Sequence, residues 1–108
     1  MAVRNYSPET TEALIVMGQM IVLKRKEAKL TSQALADMAG VSRSMIHRIE
    51  RGDAKCEIGV VFELATLLGV SIFGNEMSME LRRSFLAAKI GMLPKNVRTS
   101  RKAVDNGQ

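Results

Sequence analysis

The stretch Ser32–Gly52 constrains this chain more than any other part of it. Ala36 and Gly40 stand four residues apart, and Val41, Ile46 and Ile49 follow at helical spacing. The pattern predicts two short helices, Ser32–Met38 and Arg43–Glu50, joined by a three-residue turn. Ala36 puts a small side chain where the helices must cross, and Gly40 supplies a residue that turns the chain through positive φ without a Cβ penalty. Thr31 and Ser42 are placed to cap the two helices through their hydroxyls. Val41, Ile46 and Ile49 lie behind the second helix, which leaves its front face free.

Around this pair the sequence predicts three more helices. Ser7-Pro8-Glu9 combines a capping serine, a proline at the first helical position and an early acid, so a helix starts there and runs to about Ala28. Leu14, Met17 and Ile21 form its apolar stripe, and Gly18 within that stripe predicts a close approach by another helix. A fourth helix is expected over Glu57–Leu68, burying Ile58, Val61, Leu64, Ala65 and Leu68. Gly69 closes it, and Val70, Ile72 and Phe73 return to the core. A fifth is expected over Ser78–Ile90, with Leu81 and Phe85 on its apolar side. The organisation is therefore residues 8–74 as one helical domain, 75–93 as a C-terminal helix and 94–108 as a basic flexible tail.

Composition removes several classes of function. One cysteine and one histidine build neither an internal disulfide nor a three- or four-ligand zinc site. No apolar run is long enough to span a bilayer, and the first ten residues carry no secretion-type stretch, so a cytoplasmic location without membrane association is expected. The single histidine has no acid–base partner pattern, the glutamates have no paired spacing, and no glycine loop cradles a phosphate, so no enzyme and no cofactor are expected. The net charge of +5 favours a polyanionic partner. That charge is concentrated late: seven cations and no acid lie between Arg82 and Lys102. On these grounds the Ser32–Gly52 pair is either a DNA-reading helix-turn-helix or a plain helical hairpin within a bundle.

The run from Gly18 to Phe73 resembles the Cro/CI-like (XRE-type) helix-turn-helix family. The matching residues are Gly18, Ile21 and Arg25, then Leu30-Thr31, Leu35-Ala36 and the block AGVSRSMIHRIERG from Ala39 to Gly52, and finally Leu64-Ala65 with Leu67-Leu68-Gly69-Val70. The resemblance covers about half the chain. It implies an all-α, five-helix lambda-repressor-like domain that binds double-stranded DNA sequence-specifically, as a homodimer on a pseudo-palindromic operator.

By position, the third helix resembles the recognition helix that enters the major groove. Arg43 and Ser44 come first at its tip, with His47 and Arg48 one turn later. An arginine fork pairs with guanine O6 and N7, which makes Arg43 the main expected base reader. Met45 either touches a thymine methyl or fills space, and His47 either donates to a base or phosphate or is an inert surface residue. Thr31, Ser32 and Gln33 open the second helix, where the family grips a phosphate. Many members place glutamine directly after the capping residue, whereas here Gln33 comes one position later. Arg51 and Lys55 are expected phosphate contacts beyond the recognition helix. Glu50 is expected to turn away from DNA and pair with Arg25.

The fifth helix is too apolar on one face to be left in water, which leaves two readings: it dimerises the protein, or Leu81 and Phe85 pack back on the core. The tail from Met92 to Asn106 resembles the C-terminal segment of regulators that accompany HipA-like kinase toxins, through LPK-x-VR followed by RK and an acid. That resemblance implies a HipB-type antitoxin and operon autorepressor with a HipA-like kinase toxin as partner. The chain departs from the type in having no C-terminal aromatic anchor. A phage-type or chromosomal repressor without a toxin partner is the alternative.

Overall fold

The computed structural model describes residues 4–97. It contains α1 (Pro8–Glu27), α2 (Ser32–Ala39), α3 (Arg43–Glu50), α4 (Ile58–Leu68) and α5 (Met79–Gly91), and no strand among the described residues. The chain divides into two compact units at the Phe73–Gly74 junction. The part of the expected basic tail beyond residue 97 lies outside the described residues.

Four of the five helices begin where a side-chain hydroxyl accepts from an unpaired amide. The hydroxyls of Ser7, Thr31, Ser42 and Ser78 accept from Thr10, Ala34, Met45 and Leu81 N–H respectively. Helix α4 starts without a side-chain cap, at Glu57. In the first unit α1 and α2 each pack on both α3 and α4. Ile21, Leu35, Ala36, Ile46, Ile49 and Leu64 form the buried core, and every one of the four helices supplies part of it.

Gly18 serves the predicted close approach, against α3. A Cβ built there would lie 2.5 Å from the Glu50 carbonyl oxygen and 2.7 Å from that of Ile49. Only hydrogen fits between α1 and the last turn of α3. Gly52 completes the seam from the other side: a Cβ there would stand 3.1 Å from the backbone of Ile15.

Two packing expectations need correction. Ile58 is 72% exposed, not buried, because it occupies the first turn of α4, ahead of the residues that reach the core. Phe73 is half exposed and stacks on Phe62, with ring centroids 5.9 Å apart, while Val70 alone of the three apolar residues after Gly69 is buried. An open apolar groove of about 380 Å³ between α1 and α4, lined by Leu14, Met17, Ile58, Phe62 and Ile72 among others, accounts for this looser end of the packing. In the second unit α5 buries no residue; Leu81, Phe85, Leu86 and Ile90 are all more than half exposed.

Candidate nucleic-acid interface

Helix α3 is eight residues long, and its orientation follows from two isoleucines. Ile46 is 0% and Ile49 4% exposed. With roughly 100° of turn per residue, their mean direction fixes the opposite, outward direction of the helix. Ser44 and Arg51 lie within about 10° of that direction, His47 and Arg48 within about 50°, and Arg43 at about 90°, on the leading edge. Arg43, Ser44, His47 and Arg51 are exposed, as this geometry requires, and Arg48 is half-buried. Met45 falls on the flank and packs against the core, so the structure gives much of its side chain to the interior.

The turn that presents α3 is built as the sequence requires. Gly40 adopts φ +71°, and the Val41 amide donates to the Ala36 carbonyl at 3.0 Å. The returning chain passes over the small Ala36 side chain, itself fully buried. At the start of α2, Thr31 and Gln33 are exposed and Ser32 is half-buried. Gln33 is held along its own helix, its Nε2 donating to Asp37 Oδ1 at 2.8 Å.

Both acids near α3 are engaged. Glu50 turns inward to Arg25, as expected: Arg25 Nε donates to Oε2 at 2.7 Å and Nη2 to Oε1 at 3.3 Å. Arg25 Nη1 donates to the Leu30 carbonyl at 3.0 Å, so one guanidinium ties α1, the α1–α2 turn and α3 together. The two side chains are only 12% and 9% exposed, which makes this a nearly buried pair and not a surface one. Asp53 receives Arg48 Nε at 3.0 Å on Oδ2 and the Lys55 amide at 2.8 Å on Oδ1. The Lys55 N–H, and then Arg48, hold the Asp53 carboxyl below the usual carboxylate range. In return the bond to Asp53 raises the Arg48 guanidinium further. With Glu50 and Asp53 paired in this way, the outward face of α3 carries the exposed cations Arg43 and Arg51, and the exposed Lys55 follows in the loop after it.

Asp53 is the residue that sequence reasoning missed. It reads as a helix stop, and the signal that would have found it is its place immediately after a glycine that folds back onto α3. Cys56, in the same loop, is half-buried, and burial pushes its thiol up.

An exposed short helix, fixed from behind by isoleucines and crossed at a small residue by the helix before it, is the arrangement of a helix-turn-helix. The family model described as Helix-turn-helix matches residues 21–74, half of the chain. The protein belongs to that XRE-type, Cro/CI-like family of DNA-binding transcriptional regulators, with the all-α, lambda-repressor-like fold of its class. No curated protein matches the sequence. The match begins inside α1 and stops at Gly74, so α5 lies beyond it. No helix among the described residues is long and apolar enough to cross a membrane.

Proposed function

We propose that this protein is a sequence-specific, dimeric repressor that reads its operator with α3. The observation that carries the reading is the outward face of α3, where Arg43, Ser44, His47, Arg48 and Arg51 stand clear of the core while Ile46 and Ile49 anchor the helix. Arg43 leads as base reader, Ser44 and His47 contribute donors beside it, and the exposed part of Met45 meets a thymine methyl. Thr31, Ser32 and Gln33 hold a phosphate at the start of α2, and Arg51 and Lys55 hold phosphates at the far end. The α5 helix supports dimerisation, since its apolar residues form two stripes about 150° apart, Leu81–Phe85–Ala88 and Met79–Leu86–Ile90. A second copy's α5 covers one of them and places two recognition helices roughly 34 Å apart.

Selection from a randomised duplex library tests this. The expected product is a pseudo-palindrome with half-sites one helical turn apart, bound with a steep loss of affinity as salt rises. Enrichment of no sequence would defeat the reading.

For the operon role we propose autorepression as the HipB-type partner of a HipA-like kinase, supported by the LPK-x-VR and RK pattern of the tail. Coexpression with a kinase encoded next to this gene should give a complex that truncation after Met92 abolishes while operator reading persists. A chain that represses its own promoter and binds no such kinase is instead a phage-type or chromosomal repressor.

A further inference from the structure

Four helices of the first unit end in the same way, and one of them breaks the rule the others follow. Lys29, Gly40, Gly52 and Gly69 each adopt a left-handed φ, between 59° and 82°. The next residue then returns its amide to a carbonyl five positions back: Leu30 to Arg25, Val41 to Ala36, Asp53 to Arg48 and Val70 to Ala65, at 2.8–3.0 Å. This closure sets the residue after the turn beside the one whose carbonyl it meets, a position that ordinarily carries an apolar contact. Leu30, Val41 and Val70 are apolar, and Val41 and Val70 dock on the interior. At the end of α3 the same position holds a carboxylate, and the residue beside it is an arginine of the outward face.

We propose that Asp53 is a specificity-determining positioning residue, which orients Arg48 to present its terminal amino pair to a guanine. The inference rests on the DNA-reading role of α3 given above. Asp53 is pinned at both oxygens, by Arg48 Nε on one and the Lys55 amide on the other, so it is a fixed post and not a mobile counter-ion. A guanidinium is planar and has two edges with paired donors. With Nε committed to Asp53, the edge made of Nη1 and Nη2 projects away from the carboxylate, and two parallel donors match guanine O6 and N7. Among the described residues Nε carries the only hydrogen bond of the Arg48 side chain. Arg48 lies about 50° from the outward direction of α3, on the side away from Arg43. Its rotamer is restricted before DNA arrives, so less side-chain freedom is lost on binding. The pair is neutral as a unit. It therefore adds discrimination between bases and little general attraction to phosphates.

Full-length wild type, Asp53→Asn and Arg48→Ala are each put through selection on a randomised duplex library, followed by fluorescence anisotropy on the selected duplex and on single-base variants. One guanine of the half-site should lose its preference, by roughly tenfold, in both variants. Asp53→Asn should also bind unselected DNA more tightly, with a salt dependence steeper by about one released counterion, because Arg48 is then free to reach phosphates. In an Arg48→Ala background, Asp53→Asn should change discrimination no further. Asp53→Ser keeps an acceptor for the Lys55 amide and serves the same test if the asparagine variant melts early. If both Asp53 variants keep the wild-type preference at the position that Arg48→Ala relaxes, Asp53 does not position Arg48. If Arg48→Ala leaves every position unchanged, Arg48 reads no base and the proposal is overturned. Wild type enriching no sequence defeats the DNA reading itself.

Discussion

The α1–α4 unit and α5 draw on the same apolar alphabet of leucine, isoleucine, methionine and alanine, yet they dispose of it in opposite ways. The first unit buries eight apolar residues, with Ile21, Leu35, Ala36, Ile46 and Leu64 fully enclosed. The α5 helix buries none. The difference lies in pattern and not in content. Ile46 and Ile49 gather on one side of α3 and meet one core, whereas α5 splits its apolar residues between two stripes on well-separated sides. A helix built like α3 folds inward and frees one face for work. A helix built like α5 leaves its apolar surface exposed.

The largest effects should therefore come from the first unit. Ile46→Asp places an uncompensated charge at the centre of the core and should abolish the cooperative melting transition seen by circular dichroism. Ile90→Asp, the same chemistry on the exposed α5, should leave a cooperative melting transition in place. Equal damage from both would erase the comparison. Glu50→Ala strands Arg25 in a nearly buried site and should lower unfolding stability by about 3–5 kcal/mol in urea titrations. Arg43→Ala should leave the melt untouched and cost about 1–3 kcal/mol on the best operator, measured by anisotropy.

The smallest effects sharpen the contrast from outside the core. Light scattering of Ile90→Asp should show a monomer where wild type shows a dimer; a dimer retained would move the contact off that stripe of α5. Cys56, half-buried and with its thiol pushed up, should react with a thiol reagent at pH 8 more slowly in the native protein than in urea.

Much of the first unit was legible because its signals are local. Ser7, Thr31 and Ser42 mark helix starts through a hydroxyl three residues ahead of an amide, and Gly40 and Gly69 mark helix ends through a backbone angle. The partner of Glu50 was legible for a different reason: an acid beside a DNA-facing helix needs a cation, and Arg25 was the one at the right register. Exposure at helix ends was not legible. Ile58 has the composition of a core residue, and only its place in the first turn of α4 turns it to solvent. The pairing of Arg48 with Asp53 was hidden too, since it depends on how Gly52 folds the chain back over the preceding turn. At the interface, residue types pointed to arginines and hydroxyls on α3, and the backbone added which of them are held and by what.

The seam at Gly18 has a consequence for how this protein can change. No methyl group fits between α1 and the closing carbonyls of α3. An alanine at that position would lift or tilt the reading helix, moving Arg43 and Ser44 without altering either. A genetic screen for lost DNA binding should thus recover lesions at Gly18, and their defect would be one of aim, with every exposed side chain of α3 still present.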